Sequence, residues 1–135
     1  MTEKKDDLIV DVNDLREPLE EAATVHYYSK HQVRINPRWW ALLFQDVMYR
    51  NIRRDYVVSS THERLTIRTV WQGIDSRKVK DGPPNIFKTS IESGDHCWEW
   101  GTERLDLAET LHALVVDQLK RGVLPDDMVL ETLFN

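Results

Sequence analysis

The sequence predicts an α+β fold: a small antiparallel sheet of about four core strands plus an N-terminal hairpin, packed against two amphipathic helices and followed by a short C-terminal helix. Three observations carry this. Between Leu65 and Trp100, β-branched and aromatic residues recur on a two-residue period, cut by turn chemistry at Ser93-Gly94-Asp95. Two other stretches, Asn36 to Tyr49 and Leu107 to Lys120, place apolar residues three and four apart. The chain of 135 residues, 41% hydrophobic with five Trp, suffices for one core, so residues 1–135 are expected to form a single domain.

The elements follow in order. Residues 1–7 have nothing to bury and are expected to be disordered. Leu8 to Val12 has the makings of a short edge strand, and Asn13 or Asp14 can cap a helix that should be short, since Pro18 is tolerated only in a first turn. Thr24 to Tyr28, a turn at Ser29 to Gln32, and Val33 to Ile35 read as a hairpin. Asn36-Pro37 is the clearest helix start, because Asn accepts from unpaired N–H groups and proline at the first helical position loses no hydrogen bond. That helix should reach about Tyr49, with Trp39, Trp40, Leu43, Phe44, Val47 and Met48 on one apolar face against the sheet.

Tyr56 to Ser59 follows as a strand, and then the central strand, where Leu65, Ile67, Thr69 and Trp71 alternate with Thr66, Arg68, Val70 and Gln72. Gly73 at its end signals a bulge or a close backbone approach. A long basic loop from Asp75 closes at Gly82-Pro83-Pro84. The next strand carries Ile86, Phe87, Thr89 and Ile91, and the last Cys97, Trp98 and Trp100. Asp106 and Glu109 have capping-box spacing before the second helix, whose stripe is Leu107, Leu111, Leu114, Val115 and Leu119 and whose stop is Gly122. Pro125 opens a short final helix within an apolar and acidic extension, 122–135, whose Met128 to Phe134 should dock on the body or on a second copy as a homodimer.

Charge is unevenly placed within the net −5. Residues 1–22 and 122–135 are acidic, while the middle is mildly basic. Solvated termini explain this, and a sharper reading has the acidic ends engage a basic partner or fold back over the basic body. A single cysteine, Cys97, leaves no internal disulfide and no all-cysteine zinc site. The start lacks an apolar signal core, and no apolar run nears the roughly 20 residues that span a bilayer. A protein of the cytoplasm with no membrane contact is expected.

The catalytic motifs are mostly missing. Five histidines (His26, His31, His62, His96, His112) lack the spacing that puts two ligands on one helix face, so no metal and no cofactor is expected. Cys97 reads as a buried thiol that His96 cannot activate, since neighbours on a strand point to opposite faces. Gly82-Pro83-Pro84 lacks the N–H donors of a phosphate cradle. His112 and Asp75 would form a proton-transfer pair if they met; a hydrogen-bonded histidine on a helix flank is the plainer reading. Arg50, Arg53 and Arg54 with Arg77, Lys78 and Lys80 would make a six-charge patch for nucleic acid or nucleotide if the helix end and the loop were neighbours. Trp98 or Trp100, if exposed, could stack a base, though both fit the core.

Tyr27-Tyr28, the helix Trp40-x-x-Leu43-Phe44-x-Asp46-x-x-Tyr49-Arg50, the strand Thr69-Val70-Trp71-x-Gly73-Ile74-Asp75, Gly82-Pro83-Pro84-x-Ile86-Phe87-x-Thr89 and the helix with His112 occur in that order. Together, over about residues 26–120, they resemble a family of small uncharacterised proteins from phages and prophages. Ser76 stands where that pattern often has His and Lys88 where it often has Glu, which weakens any Asp/His/Glu site carried over. The resemblance implies a setting, a phage accessory protein in a bacterial cytoplasm, and no activity. The function expected is therefore a non-enzymatic module that binds a host protein, such as an inhibitor of a defence system of the anti-CRISPR or anti-restriction kind. The alternative is a nucleic-acid or nucleotide binder. The partner-binding candidates are Arg50, Arg53, Arg54, Asp75, Arg77, Lys78, Lys80, Trp100 and His112.

Overall fold

The computed structural model describes residues 25–59, 61–75 and 82–128, so the readings made for the N-terminal strand and helix, for the loop bases Arg77, Lys78 and Lys80, and for the end of the C-terminal extension lie outside it. The order is β1 (Tyr27–Tyr28), β2 (Arg34–Ile35), α1 (Pro37–Gln45), α2 (Val47–Arg50), β3 (Asn51–Val58), β4 (Arg64–Trp71), β5 (Phe87–Ser93), β6 (His96–Thr102), α3 (Leu105–Lys120) and a 3-10 turn at Pro125–Asp127. β1 and β2 form the hairpin, and β3 to β6 form an antiparallel meander in chain order. The α+β class read from the sequence is the class found. Among the described residues, no helix is long and apolar enough to cross a membrane.

The two-residue period decides which side of the sheet is dry. Across β4 and β5, Ile67 faces Ile91, Thr69 faces Thr89 and Trp71 faces Phe87, all six fully buried. On β6, Trp98 and Trp100 fall opposite Ile91 and Thr89, on the same side. α3 covers this side with Ala108, Leu111, His112, Val115, Val116 and Leu119. Val57, Leu65, Ile67 and Ile91 form one core cluster with Leu111, Val115, Val116 and Leu119 of α3, and Trp98 and Trp100 pack on its rim. Fully burying one such aliphatic side chain stabilises the fold by about 1.5–3 kcal/mol.

A second cluster, around Trp71, Ile86, Phe87 and Ala108, takes in Tyr28, Trp40, Leu43, Phe44 and Tyr49. Trp40 stacks on Phe44 at 4.8 Å, and Tyr49 meets Trp71 edge-on at 4.9 Å. The indoles are satisfied as burial requires: Trp40 Nε1 donates to the Gln72 carbonyl at 2.7 Å and Trp71 Nε1 to the Tyr28 carbonyl at 3.0 Å. Both rings crowd Gly73, whose φ is +72°; a Cβ there would sit 2.5 Å from Trp71 and 2.7 Å from Trp40. The close approach expected at this glycine is its reason for being there.

Several expectations need correction. The helix beginning at Asn36 does not run unbroken to Tyr49. Asp46 leaves the helical conformation and its carboxylate accepts from the N–H groups of Met48 and Tyr49, capping a separate turn. The phase of the apolar face is lost there, so Val47 and Met48 are 53% and 86% exposed. Trp39 is half-buried and lies outside both clusters. The strand placed at Tyr56 to Ser59 begins at Asn51, which puts Arg53 and Arg54 on β3 and not at a helix end. α3 starts at Leu105 without a side-chain cap. Asp106 is held instead by Arg104 Nε at 3.0 Å. Cys97 is exposed, because it falls on the side of β6 away from α3.

Candidate functional site

Two sets of side chains outside ordinary core packing carry chemistry. The first is buried. Thr89 and Thr69 are cross-strand partners on the dry side of β5 and β4, with hydroxyl oxygens 2.7 Å apart. Thr69 Oγ1 lies 2.8 Å from Nδ1 of His112, and His112 Nε2 lies 2.8 Å from Oδ2 of Asp55 on β3. Removal from water holds His112 below the ordinary histidine range; the bond to Asp55 pulls the other way and the nearby Arg53 charge adds to the lowering. A neutral ring assigns the protons in one direction. Nε2–H donates to Asp55, Nδ1 accepts from Thr69 O–H, and Thr69 Oγ1 accepts from Thr89 O–H.

Hydroxyl, imidazole and carboxylate thus stand in the order used for nucleophilic catalysis. They cannot be used that way. Thr69, Thr89 and His112 are 0% exposed, and the Thr69 hydroxyl is already engaged on both sides. No substrate carbonyl reaches it. The line ties α3 to the middle of the sheet and reaches solvent only through Asp55, whose side chain is 36% exposed and also bonded to Arg53 at 3.3 Å.

The second set lies on the opposite side of the sheet. By register Arg54, Tyr56 and Val58 on β3, Arg64, Thr66, Arg68 and Val70 on β4, Lys88, Ser90 and Glu92 on β5, and Cys97 and Glu99 on β6 share this face. Arg54, Tyr56, Val58, Arg64, Cys97 and Glu99 are exposed. Arg54 and Arg68 are direct cross-strand partners, a like-charge pairing that is unfavourable on its own. Arg68 lines a depression of about 370 Å³ with Arg50, Phe44, Lys88, Glu92 and Glu99, and an adjoining one of about 280 Å³ with Arg54. The far side of the face is acidic: Glu92 lies 3.6 Å from Arg68 and Glu99 3.3 Å from Lys88.

The candidates read from the sequence scatter. Arg50 sits at the end of α2, its guanidinium 4.8 Å over the Phe44 ring and bonded to the Phe44 carbonyl at 3.0 Å. Arg54 joins it on the open face, but Arg53 is turned to the other side and pairs with Asp55, so the three arginines do not form one patch. Asp75 accepts from the Asn85 N–H at 3.0 Å, and the carboxylate partner of His112 is Asp55 and not Asp75. Trp100 is half-buried on the α3 side and is therefore no platform on the open face. Trp98 Nε1 donates to Asp126 at 2.7 Å.

Asp55 and Arg68 were missed. The available signal was two threonines, Thr69 and Thr89, at dry positions of adjacent strands: buried hydroxyls require partners. Among the described residues, no group of three or more His, Cys, Asp and Glu side chains is arranged to hold a metal ion. The Cys97 thiol is pushed up first by partial desolvation and then by the Glu99 carboxylate, with Sγ 3.6 Å from Glu99, so it is a poor nucleophile at neutral pH. No protein-family model matches the chain, and neither the curated proteins nor the solved structures give a match.

Proposed function

We propose that the chain is a non-enzymatic binding module that grips a partner protein with the open face of its sheet. One observation carries the reading: the only triad-like line among the described residues is sealed inside the core, while the face away from α3 offers arginines, a tyrosine, a valine and carboxylates to a neighbour. Arg and Tyr are the side chains that dominate protein interfaces. The resemblance to phage and prophage proteins supports a bacterial cytoplasm as the setting and a host defence component as the partner.

The test is affinity capture from bacterial lysate with the wild type, with Tyr56→Ala plus Val58→Ala on the open face, and with Asp117→Ala on the exposed side of α3. One stoichiometric protein retained by the wild type and the α3 variant, and lost by the face variant, supports the reading. Retention by the face variant and loss by the α3 variant overturns it. A second reading, nucleic-acid binding, is favoured by the juxtaposed Arg54 and Arg68. It requires binding to an oligonucleotide that weakens steeply with salt and disappears with Arg54→Glu.

A further inference from the structure

We infer that Arg50, Arg54 and Arg68 form an oxyanion-binding anchor at the β3–β4 end of the open face, and that its occupant is an acidic segment of a partner protein. The inference rests on the binding-face reading above and adds the chemistry of the partner. Arg54 and Arg68 are held directly opposite each other by the antiparallel register. Among the described residues Arg54 has no carboxylate partner, and Arg68 has only the distant Glu92 at 3.6 Å. Arg50 borders the same depression as Arg68 with part of its guanidinium engaged by the Phe44 carbonyl and the rest available. Like charges placed face to face repel until an anion sits between them, and the planar guanidinium fork matches a carboxylate in two-point contact.

The surroundings decide between a protein carboxylate and a nucleic-acid backbone. A polyanion needs a continuous basic track, and this one ends at Glu92 and Glu99 on β5 and β6. Single-stranded nucleic acid also needs free aromatic faces to stack its bases. Of the rings that border the arginines, Tyr56 has one face taken by the Arg64 guanidinium at 3.9 Å and Phe44 lies between Arg50 at 4.8 Å and the stacked Trp40, which leaves no run of free faces for successive bases. An acidic patch beside the arginines, followed by basic residues over Glu92 and Glu99, is the complement of this face.

The test follows the Nε–Hε signals of arginine by NMR while the full chain is titrated with hexaglutamate, and separately with inorganic phosphate and hexathymidylate. The anchor predicts saturable shifts at Arg50, Arg54 and Arg68 with hexaglutamate, small ones at Arg104 and Arg121, and weaker binding of hexathymidylate. Arg54→Gln with Arg68→Gln should lower hexaglutamate affinity by at least about tenfold while the His112 ring signals stay in place. Equal shifts at every exposed arginine, no shift at all, or tighter binding of hexathymidylate overturns the inference. If the capture experiment yields a partner that this double variant still retains, the anchor is wrong and the binding face stands.

Discussion

His112 makes the fold sensitive to acid, and the sign follows from its burial. Its proton affinity in the folded chain is lowered from the ordinary value of 6.5, chiefly because the ring is removed from water. The unfolded chain therefore binds the proton more readily. The stability that the neutral ring contributes is fully present above about pH 6.5 and is lost as pH falls below it. At a pH one unit below the ordinary histidine value the loss cannot exceed about 1.4 kcal/mol, and the Asp55 carboxylate, which favours the protonated ring, brings the expectation to about 1 kcal/mol.

Protonation also breaks the hydrogen-bond direction. Nδ1 would become a donor, so Thr69 would have to turn its proton toward Thr89, and Thr89 would need another acceptor inside the core. The assay is urea unfolding of the wild type and His112→Gln at neutral pH and one to two units lower. The variant should be less stable at neutral pH by about 2 kcal/mol, from the lost ring packing and the incompletely paired Thr69. It should also lose about 1 kcal/mol less on acidification than the wild type does. Equal pH dependence in the two proteins, or a wild type that gains stability in acid, would refute the argument that the ring is buried neutral.

Three further outcomes are expected. Gly73→Ala should cost about 3 kcal/mol or more in thermal unfolding, because the new Cβ would sit 2.5 Å from Trp71 at a φ of +72°, whereas Gly122→Ala, with φ +91° and open space, should cost about 1–2 kcal/mol. Similar losses for the two would mean that Trp40 and Trp71 do not crowd Gly73. Asp46→Ala should lower stability by about 0.5–2 kcal/mol through the two N–H groups it caps, while Asp46→Asn should recover most of that; equal losses would rule out capping. Cys97, although exposed, should react with a thiol reagent more slowly than free cysteine at neutral pH and should speed up in Glu99→Gln; an unchanged rate would mean that Glu99 does not govern the thiol.

The strands that bury a side were legible because burial writes a two-residue period: Leu65, Ile67, Thr69 and Trp71 are the inward residues of β4 in the sequence and in the structure. So was the start of α1, where the Asn36 side chain accepts from the Trp39 N–H at 2.9 Å. The first half of β3 was not legible. An edge strand carries charged residues on its open rim, so Arg53, Arg54 and Asp55 mask the period that Val57 begins to restore. The break at Asp46 was hidden for a different reason: Val47 and Met48 continue the helical spacing, and only the conformation of one residue rotates them into solvent. The His112–Asp55 contact joins residues 57 apart in the chain, and no local pattern encodes that distance. The family resemblance drew attention to His112, and only the packing of α3 on β3 supplied its partner.

If the face away from α3 is where a partner is held, binding must shield the side chains on it. Hydroxyl-radical footprinting of the chain alone and in complex with the captured partner tests this, because Tyr56 and Cys97 lie on that face and Leu124 reports on an exposed position elsewhere. Oxidation of Tyr56 and Cys97 is expected to fall severalfold on binding while that of Leu124 is unchanged. Protection of Leu124 with Tyr56 and Cys97 left as reactive as in the free chain would contradict it.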